Sequence, residues 1–189
     1  MKKIYFVLTY SGTILGRIIR LKTGKIYTHV SISLDENLER MYSFSRINPY
    51  NCFVGGFMHE RLNAGCFKRF KNTRAKICYI KITDYQYEKL EKQIKIFEQN
   101  RKKYKFNVLG LAYILFDKEI HRENYFYCAE FIKYILKNAN INIKLPNMPR
   151  PEDFEQLQNS KVVYKGILNK YKVQPQVQII EGLETLKVS

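Results

Sequence analysis

The sequence predicts a single α+β domain in which helices pack on an antiparallel sheet. Two observations predict it. At 189 residues, with 46% hydrophobic and 14% aromatic side chains and only 9 Gly and 5 Pro, the chain can bury enough apolar surface to offset its own entropy. Short β-branched and aromatic runs punctuated by turn signals supply the strands, while segments with a 3.6-residue apolar period supply the helices.

The elements follow in order. Residues 3–9, KIYFVLT, read as a buried strand ended by Ser11-Gly12. From a Thr13 cap, Ile14, Leu15, Ile18, Ile19 and Leu21 carry helical spacing up to a stop at Thr23-Gly24. THVSISL and ERMYSFS flank Asp35-Glu36-Asn37, and Val30, Ile32 and Leu34 alternate with Ser31 and Ser33, which describes a half-buried hairpin. Residues 46–60 combine Pro49 and Gly55-Gly56 with large apolar side chains and read as a packed loop bordering a cleft. Two further strands are expected near 64–70 and 75–82. Thr83 and Gln86 form a capping-box pattern, followed by the stripe Tyr87, Leu90, Ile94, Phe97. Helices are expected at about 108–116 and 126–138, an extended crossing at Pro146, Pro149 and Pro151, a short helix in PEDFEQL and a last strand in KVVYKGIL. The domain is expected to span 1–168, with 169–189 a C-terminal tail.

The chain carries 33 Lys and Arg against 17 Asp and Glu, a formal charge of +16. Such a surface suits an anionic partner. The basic residues are spread along the chain, however, and no nucleic-acid-binding module accompanies them, so nucleic acid is not the partner indicated. The apolar run after Met1-Lys2-Lys3 is too short for a secretory segment, and no stretch approaches the length of a spanning helix, so a cytoplasmic location is expected. Cys52, Cys66, Cys78 and Cys128 are far apart with no CxxC, and neither a metal centre nor a disulfide framework is signalled. No cofactor is expected.

The segment YFYCAEFIKYIL places Cys128 in the first turn of an amphipathic helix, where unpaired amides and the helix dipole favour a thiolate. A buried core cysteine is the plain alternative. A nucleophilic thiol needs a base, and the chain offers three histidines. His29 opens a strand at the sheet end, His59 falls in the expected loop, and His121 lies in the charged run DKEIHREN, most simply a solvated turn. His29 is preferred, with a strand-capping structural role as its alternative.

THVSISL after a strand and short helix, FYCAEF far downstream and then RPEDF together resemble the circularly permuted branch of the NlpC-type papain-like cysteine hydrolases, the YiiX-like group. The likeness spans about 3–160. In that group the cysteine helix comes last, so the chain order is histidine, third polar residue, cysteine. The resemblance implies a papain-like fold, with Cys128 as nucleophile and His29 as general base. Pairing 34 with 38 across the hairpin brings Ser43 opposite His29, and Ser43 matches the family's histidine-orienting residue, usually a carboxylate, amide or imidazole. Ser45 and Glu60 are the alternatives for that role. Tyr10, at the end of the first strand, is the candidate to line the substrate pocket, with plain packing as its alternative, and the same two alternatives hold for Phe53, Phe57 and Met58. Glu130 is read as a residue of local structural role.

The expected activity is thus thiol-dependent hydrolysis or acyl transfer at an amide or ester bond of a small molecule, lipid or peptide. A basic surface could bring the enzyme to anionic membrane. The competing expectation is a catalytically weak module that holds an acyl chain or peptide in the papain-like cleft, motivated by a serine in the third position.

Overall fold

The computed structural model describes residues 1–46, 55–114 and 122–173. Its centre is a six-stranded, wholly antiparallel sheet, so the chain is α+β. The strands are β1 (Lys2–Tyr10), β2 (His29–Ser33), β3 (Met41–Arg46), β4 (Gly55–Glu60), β5 (Arg74–Ile82) and, after the 105–106 and 125–126 ribbon pair β6 and β7, β8 (Lys161–Ile167). Their order across the sheet is β4-β3-β2-β1-β5-β8. The long β1 is central because both of its faces are apolar: Ile4 to Leu8 are all buried.

Strand alternation divides those residues between two cores. Ile4, Phe6 and Leu8 join Val30, Ile32 and Phe44 under α3 (Asp84–Gln99) and α5 (Cys128–Asn138). Tyr5 and Val7 join Met41, Ala75 and Ile77 on the other face, closed by Phe67 of α2 (Gly65–Arg69) and by Leu168. Phe131 of α5 is fully buried and lies 5.1 Å, ring centre to ring centre, from both Phe44 and Phe97. These contacts clamp α5 between the sheet and α3, and so fix where its first residue stands.

The helix caps form as the sequence predicts. Thr13 accepts from the Gly16 amide at the start of α1 (Ile14–Thr23), and Gly24 ends it at φ 68°. Thr83 and Gln86 cap α3 reciprocally. The expected helix at 108–116 is present as α4 (Val108–Ile114), and PEDF of the expected short helix forms a single 3-10 turn.

Four expectations need correction. The loop expected at 46–60 contains the edge strand β4, which pairs along its whole length with β3; residues 47–54, with Cys52 and Phe53, lie outside the described ones. The strand expected at 64–70 is the short helix α2, because Gly65 at φ 53° turns the chain and Phe67 anchors it in the second core. The α1 stripe is not all core: Ile19 is buried, but Ile14, Ile18 and Leu21 face outward. The β2–β3 connection is also wider than the tight turn at 35–37. Asp35 accepts from the amides of both Glu39 and Arg40, and Leu38 adopts φ 60° to bury its side chain, so Ser33 pairs with Met41 and Ile32 with Tyr42. Continued along the strands, this register sets Ser31 against Ser43 and His29 against Ser45.

Candidate active site

Cys128 is the first residue of α5, and His29 is the first residue of β2. By alternation His29 and Ser31 share the face of Thr9 and Val7, whereas Val30 and Ile32 pack on the helix side. The thiol and imidazole meet because each stands at the end of its element, where the side chain of His29 reaches the helix start. There the Cys128 thiol and the His29 ring line the same cavity and interact electrostatically.

The third member is Glu60, the last residue of β4. His29 Nε2 lies 3.2 Å from Glu60 Oε1 and 3.2 Å from Ser31 Oγ, while Ser31 donates its hydroxyl hydrogen to Glu60 Oε2. A hydroxyl has one hydrogen, so Ser31 meets Nε2 as an acceptor. The network therefore assigns a proton to Nε2 and leaves Nδ1 for the thiol.

The electrostatics follow from the same contacts. Burial alone would lower the His29 pKa, but the Glu60 carboxylate and Cys128 outweigh it and hold the imidazole well above its ordinary 6.5. Burial alone would raise Glu60; the charge of His29 and hydrogen bonds from its neighbours hold it below its ordinary 4.5 instead. Both side chains are largely shielded, 23% and 10% exposed, so water screens the pair only partly.

Ser43 is not the histidine-orienting residue. Its position two residues from the expected register puts it against Ser31, beside Glu60, and its buried hydroxyl makes no well-aligned hydrogen bond. Ser31→Ala should therefore slow Cys128 alkylation by about tenfold, by removing a charge-assisted bond to Glu60, whereas Ser43→Ala should stay within about twofold of wild type. A larger loss in Ser43→Ala than in Ser31→Ala, measured by mass spectrometry of the alkylated chain, would reverse the assignment.

The other expected residues fall elsewhere. Tyr10 is not among the residues that line the cavity; its ring lies under the Arg20 guanidinium of α1, 5.0 Å away, while its neighbours Thr9 and Ser11 do line it. Phe57 belongs to the aromatic core, stacked on Tyr42, and Met58 lines the cavity. His59 stacks on Tyr42 and its Nε2 donates to the Glu39 carbonyl at 2.6 Å, a structural engagement at the cavity wall. His121 lies outside the described residues. Glu130 is buried in the first turn of α5, beside Tyr127.

The cavity at this junction has a volume of about 160 Å³ and is walled by Cys128, His29, Ser45, Met58 and α2, including Cys66. Sequence reasoning did not find the α2 wall, because a five-residue helix leaves no periodic signal. That volume holds the reacting end of a substrate and a few waters, well below the several hundred Å³ of a site that engulfs a drug-sized ligand. At the helix start Tyr127 provides no side-chain cap, in contrast to the threonine caps of α1 and α3. Among the described residues no group of three or more His, Cys, Asp and Glu is arranged to hold a metal ion, and no helix is long and apolar enough to cross a membrane.

Comparison of the chain with protein-family models, with curated proteins and with solved structures finds no match. The site must speak through its own chemistry. A thiol, an imidazole and a carboxylate in sequence at a cavity wall can activate a sulfur nucleophile, hold its proton and deliver it to a leaving group.

Proposed function

We propose that the protein is a thiol-dependent hydrolase or acyltransferase, related in design to the permuted papain-like hydrolases its sequence resembles. One observation carries this reading: the His29 imidazole, bonded to the Glu60 carboxylate, lines the same cavity as the Cys128 thiol, which stands at the start of a helix without a side-chain cap from Tyr127. The chain order His29, Glu60, Cys128 supports the permuted arrangement, and the antiparallel sheet with α5 packed across it is compatible with the fold.

In the proposed reaction His29 Nδ1 takes the thiol proton, and the Cys128 sulfur attacks an amide or ester carbonyl carbon. A carbon–sulfur bond forms as the carbonyl π pair moves onto oxygen, where the backbone amides at the start of α5 stabilise the charge. The oxyanion collapses, the carbon–nitrogen or carbon–oxygen bond breaks, and His29 protonates the leaving group. Water, or another acceptor hydroxyl or amine, then attacks the thioester carbonyl carbon and gives its proton to His29; the carbon–sulfur bond breaks, and His29 returns that proton to the Cys128 sulfur. Glu60 keeps the ring in the Nε2–H form and offsets the imidazolium charge, which a serine in that place would not do. This weakens the motive for a binding-only module.

The test is an acyl-enzyme. Incubation with p-nitrophenyl acetate should give a burst of nitrophenol and an acetyl group on the Cys128 peptide. Cys128→Ala should abolish both. Acetylation that is absent, or that persists elsewhere on the chain at the wild-type rate in Cys128→Ala, would overturn the reading.

A further inference from the structure

The outward face of α1 is apolar where a solvated helix would be polar. Ile14, Ile18 and Leu21 recur at i, i+4 and i+7, share one face, and are 80%, 53% and 89% exposed. Ile26, just past the helix, is a further 45% exposed. On a 3.6-residue repeat, Arg17 and Arg20 fall to one side of this stripe and Lys22 to the other, with exposed Lys25 following Gly24. The first turn of α1 carries no acidic side chain. The inward face is different in kind: Thr13, Gly16 and Ile19 are buried and line the cavity that holds Cys128 and His29.

From this geometry we infer that α1 is a docking helix for an anionic lipid bilayer, lying in the plane of the interface beside the cavity. A short helix with an apolar stripe bordered by cations matches both layers of such a surface. The isoleucine and leucine side chains enter the headgroup and acyl boundary, to a depth of roughly 5–10 Å, and the flanking Arg and Lys meet the lipid phosphates. The net charge of +16 adds a long-range attraction to the same surface. A nucleic acid would be met by the cations but would leave the apolar stripe in water, so the bilayer accounts for more of what the helix presents. The inference does not depend on the thiol chemistry.

Flotation of the full chain with lipid vesicles tests it. The protein should float with phosphatidylcholine vesicles containing about 30% phosphatidylglycerol and remain behind with phosphatidylcholine alone, because single apolar stripes of this size bind weakly without charge. The triple variant Ile14→Ser, Ile18→Ser, Leu21→Ser should lose at least about tenfold in partitioning while melting as wild type does, since these side chains contribute little to the core. The chain has no Trp. An Ile18→Trp variant therefore carries a single reporter, whose emission should shift to the blue and be quenched by brominated lipid on binding. Flotation of the triple variant at the wild-type level, an Ile18→Trp emission unchanged by vesicles, or binding to polyuridylate in place of vesicles would each overturn the inference. Cys128→Ala should float normally, so loss of the thiol chemistry and loss of lipid docking are separately readable.

Discussion

His29→Ala should slow iodoacetamide alkylation of Cys128 by roughly 10²-fold at about pH 6, the range in which a neighbouring imidazolium matters most to sulfur reactivity. The internal standards are two other thiols. Cys78 is fully buried, and that burial pushes its pKa up to about 11, so it should be nearly inert in the native chain. Cys66 is half-buried and lines the same cavity as Cys128, which makes it the control for access. On the proposed function, Cys128 should outpace Cys66 in wild type despite being the more buried of the two, because His29 would take its proton. Peptide mapping of the alkylated chain over a pH series reads both rates at once. Equal rates for Cys128 and Cys66 in wild type, or a Cys128 rate indifferent to His29→Ala, would leave the thiol as a packing residue.

Glu60→Gln should lower the titration midpoint of the His29 ring, observed by its imidazole NMR resonances. Burial, which opposes the imidazolium, would then lose its main counterweight. The same substitution should cost about 1–3 kcal/mol of stability, and the cost should depend on pH in a defined way. His29 has a raised folded pKa, so its contribution is fully present below its unfolded value of 6.5 and is lost as pH rises through the higher folded value. Glu60 has a depressed folded pKa, so its contribution is present above its unfolded value of 4.5 and is lost as pH falls through the lower folded value. Both are complete only between those two unfolded values. Urea unfolding of wild type and Glu60→Gln should accordingly differ most at about pH 5.5 and differ less in alkaline solution above the folded value of His29. A stability difference that is the same at both would show that Glu60 acts through packing and not through its charge.

The two experiments separate parts of the site that the sequence could not weigh against each other. The strand periodicities of 3–9 and 75–82, the Thr83 capping box and the apolar faces of the helices beginning at Thr13 and near Cys128 are local signals, set by side-chain period and cap chemistry within a few residues. They survive into the folded chain, although most of the apolar stripe of α1 faces outward. The positions of Cys128 and His29 were legible for the same reason, one beginning a helix and the other a strand, whereas their pairing was what the resemblance implied.

What the sequence by itself determined, then, is the α+β class, most element positions, and the placing of Cys128 and His29 at the starts of a helix and a strand. Only the tertiary structure decided the third partner. The choice between Ser43 and Glu60 turned on a register shift of two residues, and that shift comes from Leu38 burying its side chain in the second core while Asp35 gathers the amides of Glu39 and Arg40. Neither the burial of one leucine nor the diagonal reach of Glu60 from β4, across β3, to His29 on β2 has a periodic signature. The outward stripe of α1 was hidden for the converse reason. Period alone says that Ile14, Ile18 and Leu21 share a face, but which faces are covered depends on the sheet and helices packed around them, and those are long-range contacts that no local pattern encodes.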